Sequence, residues 1–284
     1  MSAPTVGSLF SGIGGLDLAF ERAGFQIAFQ VENNTFCQRV LAKHWPDVKR
    51  FEDVRNVGKH NLPAADVLVG GFPCQDISNA GRRAGITEGS RSGLWFEFAR
   101  IISELRPRYV FLENVAAIAS KGGSVVVGQL ADMGYGAEWA VVSAADVGAP
   151  HLRKRWFCVA NADGEQCEKQ RIAVGHAQEH AVIRRPGENN PNGGDAKSSV
   201  GRILDGLPGQ LDAVGIQPQR WPSRPGEAQY DWEAPRTVPP RTVRNRSARL
   251  AALGNAVVPQ VVYPFAVLIQ RAIQEQLTTK GKLT

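Results

Sequence analysis

At 284 residues, with 43% hydrophobic and 21% charged side chains, the chain has room for one large globular domain and a smaller one. It contains no run of about 18 apolar residues and so no expected membrane span, and Met1–Thr5 lacks the charged start and apolar core of a secretory signal. The net charge of +6 is uneven, with 14 Lys/Arg against 15 Asp/Glu in residues 1–150 and 16 against 11 in residues 151–250; a polyanion such as nucleic acid would be met mainly in the later part, the alternative being a basic surface with no specific partner.

Thr5–Phe10 reads as a short buried strand, and Ser11-Gly12-Ile13-Gly14-Gly15 as a glycine-rich turn. Leu16, Ala19, Phe20 and Ala23 then recur at helical spacing, with Gly24 placed to close the helix. Strand, glycine turn and helix are the first half of a nucleotide-cofactor βαβ unit. Gln26–Val31 predicts a second strand ending at Glu32, where a carboxylate could accept from ribose hydroxyls. A helix follows over about Thr35–Lys43, capped by Asn33 or Asn34. Asp53, after Phe51-Glu52, could hold an adenine amino group. Taken singly, Glu32 and Asp53 read as ordinary solvated strand ends rather than as ligand contacts. Their order behind the glycine turn favours ligand contact.

Asp66–Val69 is an apolar strand running into Gly70-Gly71-Phe72-Pro73-Cys74-Gln75, a sharp loop that presents a thiol. The polar, glycine-rich stretch from Asp76 to Gly93, carrying Arg82, Arg83 and Arg91, is long for a connector and reads as either a mobile active-site loop or a disordered insert. Leu94–Ile102 predicts an amphipathic helix, and Arg108–Leu112 a strand ending in Glu113-Asn114-Val115. A helix over Gly122–Leu130 and a strand over Gly134–Val142 follow. The basic block Arg153-Lys154-Arg155 then leads into another apolar strand, Trp156–Ala160. From Ala162 to about Thr242 glycine, proline, asparagine and glutamine dominate, which predicts a loop-rich second domain, partly ordered only on binding, the alternative being plain disorder. Leu253–Pro259 precedes a final apolar helix, about Val261–Leu277, expected to pack back on the first domain.

The four cysteines, Cys37, Cys74, Cys158 and Cys167, show no CxxC spacing and no partnered histidines, so a metal site is not expected and a reducing, intracellular setting is. Cys37 and Cys158 fall in apolar patterns and Cys167 in a polar loop, whereas Cys74 stands between proline and glutamine at a strand end. A thiolate is a nucleophile when its surroundings favour the anion. A strand-end glutamate carries a proton when burial keeps it partly protonated. An arginine orients both a carboxylate and a carbonyl oxygen. Substitution at C5 of a pyrimidine uses all of these, because C5 becomes nucleophilic only once a thiolate has added at C6 and an acid has neutralised N3.

The ordered set of motifs closely resembles the DNA (cytosine-5)-methyltransferases, over residues 5–160 and 244–270. Phe10-Ser11-Gly12-Ile13-Gly14-Gly15 resembles the family's S-adenosylmethionine turn, Pro73-Cys74-Gln75 its nucleophile motif, and Glu113-Asn114-Val115 the motif of its proton-carrying glutamate. Arg153-Lys154-Arg155 resembles its arginine block, and Gly254-Asn255-Ala256-Val257-Val258-Pro259 its closing cofactor motif. The resemblance implies a Rossmann-like α/β S-adenosylmethionine-dependent methyltransferase domain with a small loop-rich target-recognition domain. Residues 1–160 would be catalytic and cofactor-binding, 161–243 target-recognising, and 244–284 would complete the catalytic domain.

It further implies that Cys74 attacks C6, Glu113 acts at N3, and Arg153 and Arg155 support the site. S-adenosyl-L-methionine would be held by Phe10, Gly12, Gly14, Gly15, Leu16, Glu32, Asn33, Asp53, Val54, Leu94, Asn255 and Ala256. Duplex DNA with a flipped cytosine would meet Gln75, Ser78, Arg82 and Arg91, with the Ser78–Arg91 loop closing over the base. The expected protein is a monomer of the bacterial cytoplasm or nucleoid, without membrane contact, in restriction–modification or phage-type DNA protection. The rivals are a tRNA-modifying enzyme of the same fold, a non-catalytic DNA-binding protein that keeps the fold as a scaffold, and a nicotinamide dehydrogenase, which the glycine turn alone suggests and which leaves Pro73-Cys74-Gln75 and the arginine block unexplained. His151 stands where the family usually has glutamine, Asn33 where a stacking aromatic is common, and Ala256 where serine is frequent. None of these removes a catalytic group.

Overall fold

The computed structural model describes residues 2–73, 94–162, 226, 228–230 and 244–281. In chain order its elements are β1 (Thr5–Leu9), α1 (Gly15–Arg22), β2 (Gln26–Val31), α2 (Thr35–His44), β3 (Lys49–Phe51), β4 (Val67–Gly70), α3 (Leu94–Leu105), β5 (Tyr109–Val115), α4 (Ile118–Lys121), α5 (Gly123–Asp132), β6 (Gly136–Val142), β7 (Arg155–Asn161), α6 (Arg246–Asn255) and α7 (Pro259–Gly281). The strands form one seven-stranded sheet in the order β3-β2-β1-β4-β5-β7-β6. The pairs from β3 through β5 are parallel, an arrangement that requires the crossing segments found between these strands. β7 enters antiparallel between β5 and β6.

The sheet is covered on both faces, so its central strands are apolar throughout rather than alternating. β4, Val67–Gly70, is buried at every position. On one face Phe29, Leu68, Val110 and Trp156 meet Phe98 and Ile101 of α3 and Leu130 of α5. On the other, Val6, Val69, Phe111 and Phe157 meet Phe20 of α1 and Phe265 and Ile273 of α7. The Phe111 ring lies 5.6 Å from that of Phe20 and 5.5 Å from that of Phe265. The last helix therefore seals the core against the first one. Arg108 also donates to Gln276 of α7 at 2.8 Å.

The expected strand–glycine turn–helix start is present, and Gly24 takes a left-handed φ of 92° just after the C-cap of α1. Of the two candidate caps for α2, Asn34 fills the role, its side chain accepting from the N–H groups of Phe36 and Cys37. The final helix begins at Pro259 and packs back as expected. Three features go beyond the sequence reading: the short α4, the antiparallel insertion of β7, and α6 immediately before the closing segment. Except for Asn161, Ala162, residue 226 and residues 228–230, the expected target-recognition stretch 161–243 lies outside the described residues. No single described helix is long and apolar enough to cross a membrane.

Candidate active site

In a parallel sheet, ligands settle at the carboxyl ends of the strands where the order reverses. Here that point lies between β1 and β4. The turn after β1 bends through left-handed residues at Phe10 (φ 53°), Gly12 (φ 56°) and Gly14 (φ 84°). Gly14 is obligatory on two grounds: its φ is positive, and a Cβ there would stand 2.4 Å from the Trp45 ring. At Gly12 a Cβ would meet nothing within 4 Å, so the turn faces open space there.

Glu32, at the end of β2, is fastened to this turn. One carboxylate oxygen accepts from the Gly12 N–H at 2.8 Å and the other from the Asn34 N–H at 2.7 Å. Each oxygen keeps a further lone pair for a ligand hydroxyl. Asp53 caps the short turn after β3 and pairs with Arg55 at 2.7 Å. The Arg55 hydrogen bonds hold the Asp53 carboxyl below its usual range, so it remains an ionised acceptor. Val54 is buried beneath it, and Asn33 is exposed. The side chain of Leu16 is buried in the core, so its main chain is the part that can meet a ligand. Leu94, the first residue of α3, packs at the edge of the core. From the far end of the chain, Val257 sits against Gly15, where a Cβ would come within 2.9 Å of it. Asn255 is exposed and Ala256 half-buried beside it.

The second cluster lies one strand further along. Antiparallel register sets Glu113 opposite Phe157 and Val115 opposite Arg155. Glu113 and Arg155 are thus diagonal neighbours on one face of the sheet, and the Arg155 Nε donates to a Glu113 carboxylate oxygen at 3.0 Å. The other carboxylate oxygen lies 2.8 Å from where Gly71 would carry a Cβ, so a side chain there would displace the Glu113 carboxylate. Burial pushes the Glu113 carboxyl up to about 7, against the pull of Arg155 and Arg153. It is therefore poised to hold or release a proton near neutral pH. Asn114 points to the opposite face and donates to the Phe72 carbonyl at 3.0 Å. Its own oxygen accepts from the Val115 N–H at 2.9 Å. That link ties the Glu113 strand to the segment immediately before Pro73.

The basic block is held from both sides. The Leu152 carbonyl accepts from the Ser143 hydroxyl and the Ala144 N–H. Arg153, at φ 35°, donates to the carbonyls of Gly254 and Ala256. Arg153 and Arg155 thus diverge, Arg153 clasping the closing segment and Arg155 facing Glu113. Cys74, Gln75, Ser78, Arg82 and Arg91 lie outside the described residues. Sequence reasoning did not single out Asn114 or Gly71 for these contacts, though both adjoin residues it did choose. It also passed over Asp17, buried with Ser8 and Gln30 behind the glycine turn. Among the described residues no cluster of His, Cys, Asp and Glu has the arrangement of a metal site.

A doubly covered α/β sheet with a glycine turn at its switch point and a partly buried Glu–Arg pair beside it defines a Rossmann-like architecture. Residues 5–205 match the model of the C-5 cytosine-specific DNA methylases, and the chain belongs to that family. It is 37% identical over 154 residues to the type II methyltransferase M.CviJI of Paramecium bursaria Chlorella virus IL3A, a match covering 54% of this chain and 41% of that one. It is 33% identical over 179 residues to M.AquIA of Picosynechococcus, covering 56% and 72%. Against most such relatives the chain spans about half their length. The Entamoeba histolytica methyltransferase EhMeth shares the fold, with a TM-score of 0.50 and 20% identity over 57% of this chain and 54% of that one.

Proposed function

We propose that the chain transfers a methyl group from S-adenosyl-L-methionine to C5 of a cytosine flipped out of duplex DNA. The observation that carries this reading is the Glu113–Arg155 pair, 3.0 Å apart, with Glu113 raised to about 7 and its strand tied through Asn114 to the segment leading into Cys74. The open ground at Gly12 and the spare acceptor capacity of Glu32 fit a ribose-bearing cofactor. Glu32 would take the ribose hydroxyls and Asp53 the adenine amino group. The Phe10–Leu16 turn and Val54, Leu94, Asn33, Asn255 and Ala256 would frame the rest. When bound, S-adenosylmethionine supplies an electrophilic methyl group to C5.

The chain's own residues do the remaining work. The Cys74 thiolate forms a bond to C6 while Glu113, protonated, hydrogen-bonds and protonates N3. Arg155 holds the Glu113 carboxyl in place and offers its remaining donors to the base carbonyl. After C5 is methylated, solvent water takes up the C5 proton, the C6–S bond breaks to free the thiolate, and N3 returns its proton to Glu113, which restores the ring and the acid. Arg153 keeps the closing segment against the start of β7. Residues 161–243 would read the target sequence, and Gln75, Ser78, Arg82 and Arg91 would meet the DNA. DNA protection in a restriction–modification or phage setting, by a monomer, is the proposed role.

The test is transfer of labelled methyl from S-adenosylmethionine to duplex DNA. Wild-type protein should label cytosine C5, and Cys74→Ala should reduce labelling to background. Label in tRNA with none in DNA would move the substrate to RNA. Persistent C5 methylation by Cys74→Ala would remove the covalent mechanism.

A further inference from the structure

Behind the glycine turn lies a polar cluster that the proposed chemistry does not use. Ser8 of β1 and Gln30 of β2 are register partners across the sheet. Both are fully buried, and so is Asp17 in the first turn of α1. One Asp17 oxygen accepts from the Ser8 hydroxyl at 3.0 Å and the other from the Gln30 amide nitrogen at 2.8 Å. Among the described residues no arginine or lysine pairs with this carboxylate. The Gln30 amide oxygen is buried without a partner. An apolar trio would pack here at less cost, because a buried carboxylate held only by neutral donors is expensive.

The layer just above shows what the cluster supports. Ser11 of the turn donates its hydroxyl to the Ser8 carbonyl at 3.2 Å and its N–H to the Val31 carbonyl at 3.1 Å. Gly12 then donates to Glu32, two residues beyond Gln30. The strand ends that carry the turn and Glu32 are thus bridged in two tiers. Asp17 is the lower one, and it joins the first turn of α1 to both strands through its side chain.

We propose that Asp17 is a positioning residue for the cofactor site: bridging Ser8 and Gln30, it sets the spacing of the β1 and β2 ends so that the Phe10–Gly14 turn and Glu32 meet the cofactor together. The inference rests on the methyltransferase reading above, and the cluster acts on cofactor binding rather than on the Cys74–Glu113 chemistry.

The experiment measures S-adenosylmethionine binding by calorimetry and steady-state methylation of duplex DNA, with thermal unfolding alongside. Two variants are compared with wild type: Asp17→Asn, which keeps the size and one acceptor, and the triple Ser8→Ala, Asp17→Leu, Gln30→Leu, which removes every polar group of the cluster together. A purely structural cluster predicts that the triple variant folds and binds as wild type does. Positioning predicts that it folds with equal or higher Tm yet loses about tenfold or more in cofactor affinity. Asp17→Asn should raise the KM for cofactor several-fold, with kcat within about threefold and the KM for DNA unchanged. Wild-type cofactor affinity in a folded triple variant overturns the proposal. If the triple variant does not fold, unchanged cofactor KM in Asp17→Asn overturns it equally. Failure of wild-type protein to bind S-adenosylmethionine at all would instead remove the parent reading.

Discussion

Asp17 and Glu113 are both buried carboxylates on the same face of one sheet, yet the regions around them are built for different tasks. Asp17 is sealed, with neutral donors on both oxygens, beneath the parallel half that carries the glycine turn. Glu113 stands at a strand end in the antiparallel half, against a guanidinium on one side and Gly71 on the other. Burial raises both carboxyls, Asp17 to about 6 and Glu113 to about 7. Arg155 does not cancel the effect at Glu113, because desolvation of the carboxylate outweighs the ion pair. Burial therefore sets proton affinity in both regions, and access decides its use. The Glu113 side chain keeps 12% exposure, while Asp17 has none. Only Glu113 can pass a proton to a base.

Glu113→Gln breaks this contrast most sharply. The amide keeps the shape but cannot deliver a proton to N3. Loss of a positioned general acid costs about 10²–10⁴-fold in rate. The expected result is a kcat lower by that factor with cofactor affinity within about twofold, read by single-turnover methylation and calorimetry. An equal loss of cofactor affinity would show that the two halves do not divide the work.

Stability against pH is the next test. Both carboxyls have folded values above their unfolded ones, so the native chain holds protons that the unfolded chain has released. The stabilisation is full below the unfolded values near 4 and is lost as pH rises through about 6 for Asp17 and about 7 for Glu113. Each contributes on the order of 3 kcal/mol over that range. Urea unfolding should show stability falling between about pH 4 and pH 7, and Glu113→Gln should fall less steeply than wild type. Identical slopes would mean that Glu113 titrates normally.

Much of this comparison was legible in residue order, and its limits are physical. Local signals suffice for the parallel half, because strand, glycine turn, helix and terminal carboxylate follow one another within residues 5–32. Glu113 was visible as the end of an apolar strand. Its geometry with Arg155 was not, because it depends on β7 entering antiparallel beside β5, a pairing some forty residues apart that no local pattern encodes. Asp17 lies outside the apolar stripe Leu16, Ala19, Phe20 and Ala23, so periodicity reads it as solvent-facing. Only the polar partners Ser8 and Gln30 reveal that it points inward. Asn114 looked like part of a motif and proves to be the brace between β5 and the segment before Cys74.

The smallest expected effect comes from Gly12→Ala and probes the parallel half through its backbone alone. Gly12 sits at φ 56°, where a Cβ has space but an L-residue is strained. Single left-handed residues cost about 1 kcal/mol. Thermal unfolding should register a loss of that size. Because the Gly12 N–H anchors Glu32, any relaxation of the turn toward negative φ would also withdraw that donor. The KM for S-adenosylmethionine should therefore rise by a few-fold, while Glu113, joined to this turn by no described hydrogen bond, keeps its kcat. A fall in kcat as large as the rise in KM would mean that strain in the glycine turn reaches the catalytic strand, and that the two halves of the sheet move as one.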